Sequence, residues 1–489
     1  ILIGKDRSVM LIGKNRNTLV LCLAILIGAI IWFLPPEGGL TAAGVKLLSV
    51  FVVTIVLWIG IGTGWTSLFV LLALVILQII DVNTVFSTAW GSSVPNIVIP
   101  LFIIVNVMID SGAMQYITEW ILSRKIIHGK PYVFLLMLCV AITLLGTAVY
   151  AVVMCCFLLE FVDDVCTSIG YSKDDKFYKA ILLLALWICT IMDGVWPFAR
   201  PIPALVIAYL APLGYEISVL QWIAVSIPFT ILCIACALFI IKFIYRPDTS
   251  KFKRYDDQAI RERLKSKPLS RSGKVSIICL ILVILSWLLA GLNIPVISPY
   301  LSSIGSPTAA YLAVLVMCFL KGDDEKPIIE LGTALAKVNW SLVLFIGTMM
   351  LFAAAIGEEQ YGIVAMVGNY LAPLAEILSY GSIISLGLII VCLLTNFMSS
   401  TVATTMVVTL FVPMLLTYNN VTTGDVITFG VLIGCISNCA YLTHAACPAA
   451  GVMLSNIPPN ESVKYNVIMV LLACLLGTFV FQPLMAHVI

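Results

Sequence analysis

Long stretches of this chain carry no charge at all. Residues 275–320 contain no Asp, Glu, Lys or Arg, and neither do 377–424. A bilayer crossing takes about 20 mostly apolar residues, so each stretch holds about two. Segment 19–34 (LVLCLAILIGAIIWFL) is apolar on every face. That excludes a β-barrel, whose strands alternate apolar and polar residues over about ten positions. The pattern predicts an all-α polytopic membrane protein with roughly 11 transmembrane helices. Spans are expected near 17–34, 45–60, 66–80, 95–111, 177–212, 218–243, 275–292, 307–320, 338–356, 426–455 and 464–484. The first apolar run reads as a span and not as a cleavable signal peptide, because no small-residue cleavage site follows it.

Two further apolar segments are too short to cross twice and are expected as re-entrant helical hairpins. The first, 132–161, has basic residues at both ends and a tip expected near Gly146 and Thr147. The second, 380–417, has its tip expected near Ser399 to Thr401. Basic residues mark the cytoplasmic side. One path places 25 of the 27 Lys and Arg residues there, leaving out Lys46 and Arg200. It runs through a cytoplasmic tail (1–16), a first half (17–243), a basic linker (244–274) and a second half (275–489) that ends outside. Segments 88–122 and 338–371 each read Trp, apolar span, acidic break and short amphipathic helix, at an offset of about 250 residues and in opposite orientation. Two inverted-topology repeats are therefore expected, the usual build of secondary transporters.

Composition narrows the function. Apolar residues make up 61% and charged residues 11% of the chain, against roughly 25% charged in a soluble domain. Nucleic-acid binders, secreted disulfide scaffolds and soluble enzymes are excluded, and the net charge of +2 distinguishes nothing further. The 15 cysteines lie mostly inside apolar runs, including the Cys155–Cys156 pair and a CxxC at Cys233 and Cys236. They read as small hydrophobes. No HExxH, GxSG, GxGD or Walker A sequence occurs, so neither an intramembrane enzyme nor an ATP-driven pump has its motif. A non-transporting receptor is the other class left open.

Polar residues at membrane depth carry the candidate chemistry. Segment 395–405 (TNFMSSTVATT) packs seven Ser, Thr or Asn residues into eleven, more than back-bonding to the helix absorbs. It reads as a ligand or ion site, with helix packing as the alternative. Segment 192–204 (MDGVWPFARPIPA) holds three prolines, which break a helix. Asp193 and Arg200 flank the break. Arg200 is a counter-charge to an anionic substrate, a partner of Asp193 or a snorkelling side chain. The mirrored segment 437–451 (SNCAYLTHAACPAAG) carries Ser437, Asn438, Thr443 and His444 beside Pro448. His444 is a proton carrier, an anion donor or a packing residue. Glu160, Asp163, Asp164, Glu358 and Glu359 read as solvated charges at span ends.

At this point the chain resembles the divalent anion:sodium symporters, carriers of dicarboxylates, citrate or sulfate. The resemblance rests on 32–39 (WFLPPEGG), 47–54 with Trp58, 339–351 (NWSLVLFIGTMML) and 399–405 (SSTVATT). It implies two inverted repeats, a homodimer, one hairpin tip per repeat framing substrate and sodium, and elevator-type movement. Together with the polar residues read above, substrate is expected at Thr147, Arg200, Ser399, Ser400, Thr401, Ser437, Asn438 and His444; Arg200 and His444 are not family motif residues. The coupling ion is expected at Gly146, Thr147, Asp193, Ser399 and Thr401. No cofactor is expected beyond that sodium, and the partners are a small anion and the lipid of a plasma or bacterial inner membrane. The chain departs from the family where Ser400 replaces Asn, and where 201–203 and 447–449 replace Pro-Pro-Asn. These changes remove side-chain oxygens, so proton coupling or exchange through Asp193 or His444 is the runner-up.

Overall fold

The computed structural model describes residues 2–146, 151–197, 201–255, 268–292, 294–363, 365–366, 369–370, 377–442 and 447–488. Among these residues the architecture is helical, with one isolated bridge between Lys321 and Pro327. Helix α1 (Leu2–Trp32) already starts in the expected tail, so the tail continues into the first span. It is followed by α2 (Ala42–Gly60), α3 (Gly64–Ile76), α4 (Val82–Gly91), α5 (Ser93–Asp110) and α6 (Ala113–Leu122). Thr41 caps α2 by accepting from Gly44 N, and Asp81 caps α4 in the same manner, which satisfies otherwise orphaned N–H groups.

The segment expected as the first hairpin holds α7 (Pro131–Leu145) and α8 (Ala151–Ile169), which each pack on the following helix, Lys176–Met192, and not along one another; residues 147–150 between them lie outside the described residues. Next come α9 (Lys176–Met192), α10 (Pro201–Leu210) and α11 (Val219–Phe239), which runs on through a π-helical end at Ile240–Tyr245. The second half holds α12 (Arg271–Gly291), α13 (Ile297–Ile304), α14 (Ser306–Phe319), α15 (Leu331–Ala336) and α16 (Trp340–Gly357). Its hairpin arms are α17 (Tyr380–Leu394) and α18 (Ser400–Leu415). The chain ends with α19 (Thr423–Ile436), α20 (Pro448–Leu454), α21 (Pro459–Leu475) and α22 (Gln482–Met485). Helices α7, α17 and α18, of 15 and 16 residues, are about 22–24 Å long, short of the ~30 Å hydrocarbon core, whereas the 19 residues of α8 reach about 28 Å. Among the described residues five helical stretches, α4 with α5 counted as one, are long and apolar enough to cross, and the α13–α14 pair is bent by 79°.

Burial follows sequence. Helices α9 and α19 are buried along almost their whole lengths, as expected for helices apolar on every side. Outer helices instead turn Ile278, Ile281, Leu282 and Leu285 outward. The packing is reciprocal between halves. Helix α8 lies on α20, and α18, the second arm of the 380–417 hairpin, lies on α10; each meets the second segment of the other half's interrupted helix. Likewise α5 lies on α14, and α16 on α3. Lys179, itself buried, pairs with Glu461 at 3.0 Å and ties the start of α9 to α21.

One expectation needs correction. Asp163 is not a free solvated charge: Lys173 donates to it at 2.7 Å and the Tyr178 hydroxyl also donates to it, whereas Glu160, Asp164, Glu358 and Glu359 are exposed. The described start of the linker is docked on the helices. Phe252 and Tyr255 are buried, stacked at 5.1 Å, and both meet Phe134 of α7. Lys251 bonds Asp175 at 3.0 Å, and Tyr171 donates its hydroxyl to the Asp248 carbonyl. The Ser172 backbone N–H and then Lys251 hold the Asp175 carboxyl below its ordinary range. A depressed carboxylate contributes above its unfolded pKa of about 3.9 and loses that contribution as pH falls through the lower native value. Protection of 250–255 against hydrogen exchange, measured relative to the unfolded chain, should therefore hold at neutral pH and fall once acid protonates Asp175. D175N should lack that protection at both; protection kept in D175N at neutral pH would remove the ion pair from the docking.

Candidate functional site

Two interrupted helices build the centre. Helix α9 ends at Met192 because Gly194 and Pro197 follow, and α10 restarts on Pro201, a residue suited to the first helical position. The backbone freed between them is held from α11. Trp222 Nε1 donates to the Gly194 carbonyl and Ser226 Oγ to the Val195 carbonyl, both at 3.0 Å. The second half repeats this arrangement. Helix α19 ends at Ile436, and α20 restarts at Pro448 behind Cys447, whose sulfur accepts from Ala450 N. Asn466 on α21 donates to the Tyr441 carbonyl at 2.7 Å. Its side-chain oxygen accepts from Trp187 Nε1 on α9 at 2.7 Å, so one fully buried amide touches both interrupted helices.

The second hairpin closes on the second break. Its turn lies at 395–399, with Ser399 as the N-cap of α18, about one helical turn earlier than expected; Thr401 is already helical. Asn396 is fully buried. Its amide nitrogen donates to the carbonyls of Cys392 (2.8 Å) and Cys439 (3.1 Å), and its oxygen accepts from Tyr441 N and Leu442 N at 3.1 and 3.0 Å. Thr395 Oγ1 lies 2.5 Å from the Ser437 carbonyl and 2.6 Å from Ser400 Oγ. Thr404 Oγ1 lies 2.7 Å from both the Ser400 carbonyl and Ser437 Oγ.

Close backbone approach brings the two breaks together. A Cβ on Gly194 would stand 2.8 Å from Cys435 Cα and 3.3 Å from Asn438 Nδ2. One on Gly146, at the end of α7, would stand 2.8 Å from Met192 Cβ, where α9 ends. Helices α10, α18 and α20 thus all begin at or just after a hairpin turn or a break. Each helix start concentrates N–H groups and about half a positive charge, the surroundings an anion prefers.

The expected site residues fall into three groups. Ser399 is exposed and Thr401 half-buried, and neither hydroxyl has a recorded partner among the described residues; the Ser399 side chain makes no cap bond. Ser400, Ser437 and Asn438 instead serve the protein's own backbone and hydroxyls: Ser437 is fully buried, and Asn438 Nδ2 bonds the Gly434 carbonyl at 2.7 Å. Asp193 is half-buried in the first break, and Gly146 packs on Met192. Thr147, Arg200 and His444, with Thr443, lie outside the described residues. Thr395, Asn396 and Gly194 lie in the polar segment 395–405 and the break 192–204 without standing among the expected site residues, and Trp222 and Asn466 fall in no segment read as a site. A lone Asn in the apolar run 465–475 was the available signal for Asn466.

Comparison with curated proteins gives no match. A family model described as "Citrate transporter" (CitMHS) matches residues 50–434, a stretch that holds both expected hairpin segments and the first break and stops just before the second. The match covers well over half of the chain. This chain belongs to the citrate transporter family and is an integral, multi-pass membrane transporter of the citrate/anion type.

Proposed function

We propose that the protein is a secondary carrier of small di- or tricarboxylates, citrate-like in size and charge, working by elevator-type alternating access between two inverted repeats. The observation that carries this reading is the pair of unengaged hydroxyls, Ser399 and Thr401, at the start of α18. They stand beside a turn whose other hydroxyls are all committed. A carboxylate there accepts from hydroxyls and helix N–H groups in surroundings of partial positive charge. Arg200 supplies the second counter-charge. The elevator reading draws support from a cleft of about 420 Å³ between 207–219 and 286–309, which lies beside the contact of α11 with α12.

Sodium is the proposed coupling ion. It favours oxygen ligands, and Thr395 Oγ1 already stands within 2.6 Å of both Ser400 Oγ and the Ser437 carbonyl. Gly146, Thr147 and Asp193 would serve the first tip, and Ser399 and Thr401 the second. Asp193, half-buried in the first break, favours proton coupling as the second reading. Counterflow of citrate in proteoliposomes tests the carrier, and repeating it with choline for sodium and with an imposed pH gradient separates the couplings. Binding without counterflow would leave a receptor.

Losing one hydrogen bond to a charged ligand costs about 1.5–3 kcal/mol, a ten-fold or larger effect. T401V and S399A should therefore each raise the apparent citrate KM about ten-fold with an unchanged melting temperature. T404V should do the reverse, lowering the melting temperature first, because its hydroxyl serves the fold. A T401V carrier with the parent KM would reassign that hydroxyl to packing.

A further inference from the structure

Lipid is the solvent of the outward faces, and one place on those faces is shaped. Between α1, α2 and α3 lies an apolar groove of about 280 Å³, lined among others by Ile25, Ala29 and Trp32 on one side, Val53 behind, and Phe69 and Ala73 opposite. Its back wall exists because α1 and α2 approach closely. A Cβ on Gly28 would stand 2.4 Å from Val53 Cγ2, and Ser49 Oγ donates to the Gly28 carbonyl at 2.8 Å. Residues 25, 29 and 32 share one face of α1 by their spacing, and 46, 50 and 53 share one face of α2.

Lys46 therefore stands one turn beyond the groove on its own face. The side chain is exposed, and its ammonium sits 5.2 Å from the ring centre of Trp32, itself a lining residue. Among the described residues no carboxylate pairs with it. The same lysine is one of the two basic residues that the topology leaves apart from the cytoplasmic set. An apolar slot ending in a single uncompensated cation, with a Trp holding that cation at the polar boundary, has the chemistry of a tail and a charged head.

We propose that this groove binds an anionic phospholipid, an acyl chain lying between α1, α2 and α3 and the phosphate meeting Lys46. Bilayer tails are as apolar as the groove, so selectivity rests on the charge and not on burial. Native mass spectrometry of the purified full chain, titrated with phosphatidylglycerol and with phosphatidylcholine of the same chains, tests it. Phosphatidylglycerol should be retained several-fold more strongly. K46Q should abolish that difference while leaving phosphatidylcholine retention as it was, and A29W, which fills the slot, should lower retention of both. Equal retention of the two lipids by the parent, or an undiminished difference in K46Q, would overturn the proposal. So would an A29W variant that keeps its lipid but changes oligomeric state, since the groove would then seat a second copy.

Discussion

Asn396→Leu should be among the most damaging single changes in this protein. The asparagine amide satisfies four backbone groups at once, two carbonyls and two N–H groups; three of those bonds are buried and the one from Leu442 N is half-buried. Leucine keeps the same branched skeleton but puts two bulkier methyl groups where the amide oxygen and nitrogen stood, so some overpacking adds to the loss. The cost at the backbone is the stranding of Tyr441 N, Leu442 N and the Cys439 carbonyl away from water. At about 1–3 kcal/mol for each buried group left without a partner, the loss is on the order of 3–5 kcal/mol. The expected result is a melting temperature lowered by several degrees, fast hydrogen exchange across 437–442, and loss of citrate counterflow. Asn396→Asp is not a milder change. It keeps the two accepted bonds but turns a carboxylate toward the Cys392 and Cys439 carbonyls, replacing attraction with repulsion. A leucine variant with parental melting and exchange would mean that 437–442 holds its shape without the amide.

What could be read from the sequence follows from the solvent. Lipid hydrates no charge, so charge-free runs located the helices to within a few residues: 45–60 became Ala42–Gly60, and 338–356 became Trp340–Gly357. Proline chemistry located both breaks, since Pro201 and Pro448 restart their helices. The second turn was placed too late because hydroxyl density misleads within helices. Thr404, Thr405 and Thr409 each bond the carbonyl four residues back, and such residues sit comfortably in α18. Hydroxyls therefore mark the neighbourhood of the turn and not the turn itself. Pairings across the chain left no local trace. Trp187 and Asn466 are 279 residues apart, and nothing near either one names the other. The docking of the linker's start left no local trace either: Phe252 and Tyr255 sit among charges, yet both pack on Phe134 of α7, and Phe252 also meets Phe177 of α9.

Gly194→Ala should separate the two breaks and stop transport. The added methyl carbon would lie 2.8 Å from Cys435 Cα and 3.0 Å from the Gly434 carbonyl oxygen. Both are backbone atoms at the end of a buried helix, so no side chain can swing away to make room. Overpacking of a buried position costs about 1–3 kcal/mol, and here the strain falls on the junction of the interrupted helices. The bonds from Trp222 and Ser226 to the adjoining carbonyls resist any retreat of the first break. Relief must come from moving α19 and the 437–442 backbone that Asn396 seats. The variant should still enter membranes, because the outer helices are untouched, but should bind citrate at least ten-fold more weakly and show no counterflow. Removing the nearest side chain should not help: Asn438 Nδ2 stands 3.3 Å from the added carbon, farther than the backbone. The double variant G194A/N438A should thus remain inactive. G332A, whose added carbon meets nothing within 4 Å, should behave as the parent. Full activity in G194A would mean that the breaks do not need this contact to hold an anion between them.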